Sequence, residues 1–212
     1  SNSDRELVLF VRAELAAQYP MDCIVGEEYA TVEVTSGFTW IIDPIDGTAN
    51  FVRGIPAWTV VIACVKDNRG VVGVVHEPST GETFYARRGG GAFINERPIK
   101  AANASSLSEG SIGVGFNPRV DATRAIALIT ALLKDGGLFF RNASGALMLA
   151  YVAAGRLLGY SEEHMNAWDC VAAMLIIEEA GGIVEPFNRG EVTRNGTIAS
   201  PLPKTKAPAS VK

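Results

Sequence analysis

The N-terminal segment has a helical pattern of apolar and polar positions. Leu7, Phe10, Val11 and Leu15 recur at i, i+3, i+4 and i+8, which predicts an amphipathic helix over residues 4–18. Acidic side chains in its first turn suit the helix dipole, and the Tyr-Pro pair that follows ends the pattern. The sequence therefore opens with a helix that has one face to bury.

Short β-rich segments separated by turn residues fill the next part of the chain. The segment at residues 38–42 stops at Asp43-Pro44. The segment at residues 71–76 has small or apolar residues at its first five positions, so we expect burial on both of its faces. Because the connections are short, the segments predict an antiparallel meander. The predicted strands span residues 38–42, 58–66, 71–76, 82–88 and 92–95.

The second half of the chain changes mostly to helical periodicity. Strands followed by helices favour a layered α+β fold over strict βαβ alternation. We expect the Pro- and Lys-containing tail to be exposed or frayed, because it has little to bury. The predicted elements are strands at 112–116 and 157–161 and helices at 118–134, 144–154 and 168–180.

The change of period suggests two subdomains within one compact functional unit. Residues 1–117 are predicted to form an N-terminal α+β subdomain that contains the turn at Asp43-Pro44. Residues 118–187 are predicted to form a C-terminal α/β subdomain that contains Asp169, and residues 188–212 a terminal strand and tail. A length of 212 residues fits one large domain or two small ones.

Composition and charge exclude several classes of protein. Hydrophobic residues make up 48% of the chain and charged residues 20%, which excludes intrinsic disorder. The net charge of −4 argues against non-specific nucleic-acid binding, which needs a basic footprint. No apolar run reaches the roughly 18–20 residues of a membrane span, and no signal peptide opens the sequence. We therefore expect a cytoplasmic protein with no nucleic-acid or membrane partner.

The cysteines do not form a pattern of their own. Cys23, Cys64 and Cys170 are odd in number, far apart and without a CxxC pair. This excludes a disulfide framework and a thiolate zinc site. Buried, reduced side chains in a cytosolic protein are the expected outcome.

The segment at residues 40–51 carries the strongest candidate chemistry. Asp43 and Asp46 follow an apolar strand. Pro44 fixes its backbone angle φ, and Gly47 permits a backbone conformation that is closed to other residues, so the turn can aim both carboxylates at one point. Asp-Pro and Asp-Gly are also ordinary turn formers, so the segment alone does not establish a site. A Gly-Glu-Glu sequence sixteen residues before Asp43, and a Trp-Asp pair that opens a later helix, favour a functional interpretation.

Crowded carboxylates repel one another unless a cation or a proton lies between them. A ligand set made only of oxygen suits Mg²⁺, Mn²⁺ or Ca²⁺ rather than zinc. The backbone amides of Gly47 and Thr48, directly after Asp46, could bind an anion. A metal site beside an anion site is what phosphoryl transfer requires.

Three separated motifs together resemble the inositol monophosphatase family of Mg²⁺-dependent, lithium-sensitive phosphatases. They are WIIDPIDGTANF at residues 40–51, Gly26-Glu27-Glu28 upstream, and Trp168-Asp169 followed by EEAGG at 178–182. The similarity runs from about residue 3 to about 187. It implies the layered α-β-α-β-α sandwich of the sugar phosphatases, often found as a dimer.

The resemblance also implies a set of metal ligands. Glu27, Asp43 and the backbone carbonyl of Ile45 are similar to the ligands of the water-activating metal. Asp43 resembles the carboxylate that bridges two metals, and Asp46 and Asp169 resemble the ligands of the second one. Two or three Mg²⁺ ions per site are implied, with Mn²⁺ as a substitute and with Ca²⁺ and Li⁺ as inhibitors.

Further roles follow from the same resemblance. Thr48, with the amides of Gly47 and Thr48, resembles the contacts to phosphate and to the nucleophilic water. Asp4 matches the acid that hydrogen-bonds this threonine and helps to polarise the water. Glu162 and Ala146 correspond to substrate contacts. The predicted catalytic residues are therefore Asp4, Glu27 and Thr48.

Each assignment has a simpler structural alternative. Asp4 could be an ordinary acid in the first turn of a helix. Asn166 could cap the last helix, with Asp169 as the acid three residues later. Glu162 could belong to a solvated strand edge, and His164 could have a hydrogen-bonded structural role instead of a contact with substrate or metal.

The sequence departs from the family pattern in two places. The family usually has Gly-Ser-Ala or Gly-Thr-Ala near residues 144–146, and Ser144 stands where we expect the glycine. Family members also begin several dozen residues before the position of Asp4, with helices and a polar loop that helps to hold a third metal. Both departures concern the surroundings of the predicted metal site.

The predicted function is Mg²⁺-dependent hydrolysis of a small phosphate monoester, with inositol monophosphate as the first candidate substrate. Fructose 1,6-bisphosphate, a 3′-phosphoadenosine nucleotide and histidinol phosphate are alternatives with the same metal core. A non-catalytic metal- or phospho-ligand-binding regulator is the alternative from another class. The expected partners are a small phosphorylated metabolite and a second copy of the chain.

Overall fold

The computed structural model describes residues 2–26, 36–117, 121–185 and 196–199, with side chains for residues 6–26, 36–117 and 121–185. Five α-helices and eleven strands form in these residues, and a short 3₁₀ turn spans Leu107–Glu109. The helices are α1 (Asn2–Gln18), α2 (Thr48–Val52), α3 (Thr123–Lys134), α4 (Gly145–Ala153) and α5 (Ala167–Glu179). The strands are β1 (Cys23–Gly26), β2 (Phe38–Asp46), β3 (Thr59–Lys66), β4 (Arg69–Glu77), β5 (Glu82–Arg87), β6 (Ala92–Ile94), β7 (Arg97–Pro98), β8 (Ser111–Val114), β9 (Leu138–Phe140), β10 (Gly159–Met165) and β11 (Gly196–Ala199).

The first sheet has seven strands in the order β1 to β7. All its neighbours pair antiparallel except β1 and β2, so the predicted meander is confirmed. The expectation that the strand stops at Asp43-Pro44 is wrong, because β2 continues to Asp46. Its register against β3 shifts between Asp43 and Asp46. A bulge tolerates Pro44, which has no N–H to donate to the ladder.

The second sheet has four strands in the order β11-β10-β8-β9. β8 lies parallel to both β9 and β10, and β11 pairs antiparallel with β10. Strand β10 is longer than predicted and reaches Met165, so Glu162 lies within a strand rather than after one. Helix α3 begins at Thr123, after residues 121 and 122 that are not helical, instead of at 118. Residues 118–120 lie outside the described residues.

Helices α4 and α5 form the layer between the two sheets, and α5 packs directly on β4. A Cβ built on Gly73 would lie 2.5 Å from the carbonyl oxygen of Ala172, so only glycine allows this approach. Val75 on the same face is fully buried, whereas Val72 and Val74 on the other face are half-buried. The expected burial of this strand on both faces is therefore wrong for its outer face.

The outer layers follow from strand alternation, because successive side chains point to opposite faces. In β2, Ile41 belongs to the core that contains α4 and α5, while the Trp40 ring contacts the tilted ring of Tyr19, just after the end of α1. In β8, Ile112 and Val114 pack with α3 in a separate small core. The order is thus α1, first sheet, α4 and α5, second sheet, α3, which is the expected α-β-α-β-α sandwich.

Two expectations from the sequence concern the state of the cysteines and the membrane-spanning potential of the helices. The three cysteines are free; Cys64 and Cys170 are buried and Cys23 is half-buried. Among the helices that the structure describes, none has the length and apolarity that a bilayer crossing requires. The predicted exposed tail lies outside the described residues.

Candidate metal centre

Three carboxylates from distant parts of the sequence converge at the end of β2 and the start of α5. One oxygen from each of Asp43, Asp46 and Asp169 lies within 4.8 Å of the others. Asp43 is buried at 3% exposure, and the other two are half-buried. An all-oxygen set of this size fits a hard divalent cation such as Mg²⁺, Mn²⁺ or Ca²⁺.

The bulge in β2 explains how two acids three residues apart can join one cluster. In a regular strand, residues i and i+3 point to opposite faces. The register shift between Asp43 and Asp46 adds the irregularity that lets both carboxylates join the same cluster. The local geometry is fixed by Ile45, whose N–H donates to Asp43 Oδ1 at 3.0 Å.

The turn after Asp46 has the left-handed backbone that the sequence predicts. Gly47 has φ 90° and ψ 35°, and the short helix α2 follows it. A Cβ on Gly47 would lie 3.0 Å from the carbonyl oxygen of Ala57, so both conformation and space require glycine. The Thr48 hydroxyl donates to the Ile45 carbonyl at 3.0 Å. This contact places Thr48 beside one of the predicted metal ligands.

Donors at the start of α4 hold the Asp46 carboxylate. Oδ2 accepts the Ser144 hydroxyl at 2.5 Å and the Ala146 N–H at 2.9 Å. Burial, with the nearby Asp169 carboxylate as a second cause, raises the pKa of Asp46 to about 7. The raised pKa reflects the free-energy cost of keeping this buried carboxylate ionised beside another one, and a bound cation would offset that cost.

Asp169 fits both roles that the sequence suggests for it, as an acid of the helix cap and as a candidate metal ligand. Its Oδ2 accepts the Asn166 N–H and the Asn166 side-chain amide, each at 3.1 Å, at the first turn of α5. This is the capping arrangement expected for Asn166 and Asp169. Because Asp169 also belongs to the acidic cluster, the cap orients a candidate metal ligand.

A pocket of about 310 Å³ opens beside Asp46 and Asp169. Glu162 lines it, and burial raises the pKa of this carboxyl group, while the Tyr160 hydroxyl and Arg141 act in the opposite direction. Tyr160 is a buried residue, and its hydroxyl donates to Glu162 Oε2. The structure thus brings Glu162 to the same pocket as two of the clustered acids.

Other predicted residues lie elsewhere or outside the described part of the chain. Ala146 is fully buried and gives its amide to Asp46, and its neighbour Gly145 lines the pocket instead. Glu27 is not among the described residues, and neither is the side chain of Asp4. His164 is half-buried on β10, and its ring forms no hydrogen bond or ion pair with the side chains that the structure describes.

The backbone places the glycine-favouring conformation one residue before the expected position. Ser144 is extended, with φ −121° and ψ 110°, which any residue adopts. Ala143 has φ 66°, in the left-handed region that favours glycine. The departure from the family pattern therefore falls on Ala143, and Ser144 takes the place of the following serine or threonine.

Sequence reasoning missed Tyr160 and the contact between Ser144 and Asp46. Tyr160 looks like any aromatic residue of a buried strand, so no local signal distinguishes it. Ser144 was singled out only as a departure in a motif. Arg141 also lines the pocket and donates to the Phe116 carbonyl at 3.4 Å.

Clustered acids at a strand bulge, beside a polar pocket in an α-β-α-β-α sandwich, are the features of a phosphatase of the sugar-phosphatase fold class. Comparison with known proteins agrees. The model of the inositol monophosphatase family matches residues 1–209, and the chain belongs to this family.

Relatives of known sequence support the same assignment. Nus factor SuhB of Haemophilus influenzae is 39% identical over 92% of this chain and 73% of its own length. Inositol-1-monophosphatase of Mesorhizobium japonicum is 36% identical over 94% of this chain and 77% of its own length. The chain spans 66% of the Xylella fastidiosa Nus factor SuhB, so it matches only part of these relatives.

Solved structures share the fold. Inositol monophosphatase from Anabaena superposes with a TM-score of 0.80 at 34% identity, over 85% of this chain and 73% of that one. An inositol monophosphate-bound SaIMPase-II superposes with a TM-score of 0.79 at 26% identity, over 93% of this chain and 77% of that one.

Proposed function

We propose that the chain catalyses the Mg²⁺-dependent hydrolysis of a small phosphate monoester, with inositol monophosphate as the first candidate. The observation that carries this proposal is the convergence of Asp43, Asp46 and Asp169 beside a pocket lined by Glu162. A SaIMPase-II of the same fold binds inositol monophosphate, which supports a polyol phosphate as substrate.

The described carboxylates fit the metal that this chemistry needs. Asp43, Asp46 and Asp169 would hold the cations together with Glu27 and the Ile45 carbonyl. When bound, the cations would lower the pKa of a coordinated water and offset the charge of the phosphoryl group. No covalent intermediate with a cysteine or histidine is required.

The chain's own residues would position substrate and water. Asp43 and Asp46 are fixed by backbone and hydroxyl donors, so little reorganisation is needed when charge develops. Thr48, assisted by Asp4, would orient the attacking water, and the amides of Gly47 and Thr48 would contact the phosphate. Glu162 would accept a hydrogen bond from a substrate hydroxyl.

The substrate within this class stays open to experiment. Glu162 and Arg141 both line the pocket, so hydroxyl groups and a second anionic group are both compatible with it. Fructose 1,6-bisphosphate, a 3′-phosphoadenosine nucleotide and histidinol phosphate are therefore included as alternatives. Glu163, next to Glu162, forms an ion pair at 3.2 Å with the exposed Arg124.

A second candidate function comes from the names of several relatives. Proteins that are 37–42% identical to this chain are called Nus factor SuhB. A regulatory binding role of this kind would use the surface of the chain and would not require phosphate release. Metal-dependent turnover is the property that separates the two candidates.

The direct test is phosphate release from a panel of phosphorylated metabolites with and without Mg²⁺. We expect release from at least one polyol phosphate in Mg²⁺ or Mn²⁺, inhibition by Li⁺ and Ca²⁺, and near-complete loss in Asp43→Asn. Asp67→Asn, at an exposed turn, is the matched control and should retain activity. Asp43→Asn with turnover near that of the parent chain would contradict the bridging role.

Oligomeric state and compartment are also proposals. A homodimer in the cytosol agrees with the family resemblance and with the free cysteines. Sedimentation of the purified chain would test the dimer, and a monomer at all concentrations would exclude it.

A further inference from the structure

Ser144 occupies a helix-capping position but does not cap its helix. It is the N-cap residue of α4 and fully buried, yet its hydroxyl makes no hydrogen bond to that helix. A serine at this position ordinarily accepts the N–H of the second or third helical residue. Here the N–H of the second residue, Ala146, donates to Asp46 Oδ2, and Ser144 donates to the same oxygen. The carboxylate has taken the place of the cap.

We propose that Ser144 is a positioning residue that holds Asp46 in the orientation needed to bind a divalent cation. This inference rests on the proposed function. The Ser144 hydroxyl and backbone N–H groups at the start of α4 hold this carboxylate, so its rotation is restricted before any ion arrives. Asp46 would then offer a pre-oriented oxygen to the cation.

The packing around Ser144 agrees with this role. A Cβ on Gly47 would lie 3.2 Å from the Ser144 Cβ, so the serine sits against the turn that follows Asp46. Ser144 therefore restrains both the carboxylate and the backbone next to it. Donors that orient a metal ligand from outside the coordination sphere commonly change metal affinity by about 10- to 100-fold when removed.

A matched control is available in the same chain. Thr80 donates its hydroxyl to Glu77 Oε2 at 3.0 Å, and Glu77 is a buried carboxylate that is not part of the acidic cluster. Thr80→Ala thus removes the same kind of contact from a carboxylate that we do not assign to the metal site. The comparison separates a loss of stability from a loss of ligand orientation.

The experiment measures Mn²⁺ affinity by electron paramagnetic resonance and calorimetry, with melting temperatures taken in EDTA. We expect Ser144→Ala to bind Mn²⁺ at least about tenfold more weakly than the parent chain. Thr80→Ala should lower the melting temperature without changing Mn²⁺ affinity. Ser144→Thr, which keeps the hydroxyl, should bind Mn²⁺ nearly as the parent chain does.

The outcomes separate this inference from the proposed function. If the parent chain binds Mn²⁺ and Ser144→Ala binds it equally well, the positioning role is wrong while the proposed function stands. A folded Ser144→Thr chain that binds as weakly as Ser144→Ala would also overturn the role of the hydroxyl. If the parent chain does not bind Mn²⁺ at all, the proposed function fails and this inference fails with it.

Discussion

The Tyr160 hydroxyl donates to Oε2 of Glu162 at the wall of the pocket beside Asp46 and Asp169. Tyr160 is buried in β10 and lines the same pocket, so its hydroxyl can hold the carboxylate in a fixed position. The pair shows how the second sheet contributes a fixed polar group to a site whose acids come from elsewhere.

Tyr160→Phe should loosen Glu162 and destabilise the fold by about 1–2 kcal/mol, because a partly buried carboxylate loses a donor. If Glu162 binds a substrate hydroxyl, KM should rise while kcat changes little. Urea unfolding and steady-state kinetics would measure both. Tyr85→Phe is the control, since Tyr85 stacks on Phe93 on the first sheet, away from the pocket. Equal effects of the two substitutions would contradict the role of Tyr160.

The stability of the metal-free protein should depend on pH through the ionisation of Asp46. Its pKa is raised to about 7 in the folded state, from an ordinary value of 3.8. Between these values the folded chain keeps a proton that the unfolded chain releases, so the free energy of unfolding falls as pH rises. In EDTA, the melting temperature should therefore decrease from pH 5 to pH 8, relative to Asp46→Asn.

The difference between the parent chain and Asp46→Asn reports the titration of Asp46 together with its coupling to Asp169. Adding Mg²⁺ at pH 8 should restore stability to the parent chain, because a ligand of the native state stabilises it. If the melting temperatures of the two chains change in parallel from pH 5 to pH 8 in EDTA, then the pKa of Asp46 is not raised.

Ala143→Gly should stabilise the protein by about 0.5–1 kcal/mol. An L-residue in the left-handed region costs roughly 1–2 kcal/mol, and the greater chain entropy of glycine offsets part of the gain. Ala143 has φ 66°. Ala127→Gly, at an exposed position in α3, is the control and should destabilise by about 1 kcal/mol. Chemical denaturation of both variants measures the contrast, and equal destabilisation would contradict strain at Ala143.

Gly73→Ala should destabilise the chain by about 1–3 kcal/mol, because the added methyl group would overlap the backbone of α5. Gly70→Ala lies on the same strand, where a Cβ would meet Leu175 at 3.4 Å, so its cost should be much smaller. Thermal melting compares the two. A tolerated Gly73→Ala would mean that α5 does not approach β4 as closely as the structure shows.

Local pattern predicts the regular parts of this fold well. The helical spacing of Leu7 and Leu15 locates α1, and the turn residues between apolar runs locate the meander. The same pattern misplaces the end of β2, because Pro44 resembles a strand terminator and a bulge that accommodates it has no periodic signal. Strand β9 is also missed, since three residues after a glycine turn are too few to show alternation.

The candidate site divides in the same way. Asp43 and Asp46 stand out in the sequence because they share one short motif. The donors of Asp46 lie 98 and 100 residues later, in Ser144 and Ala146, and such contacts come only from tertiary packing. The glycine-favouring position at Ala143 was assigned one residue too late, because a three-residue motif without its backbone conformation does not fix a register.

The central claim is that Asp43, Asp46 and Asp169 bind divalent cations together. A crystal of the chain grown in millimolar Mn²⁺, with anomalous scattering recorded near the manganese edge, tests it most directly. We predict an anomalous peak within coordination distance of all three carboxylates, with Asp43 shared if a second peak is present. An anomalous map with no peak at these carboxylates, in a crystal where they are ordered and accessible to solvent, would contradict the claim.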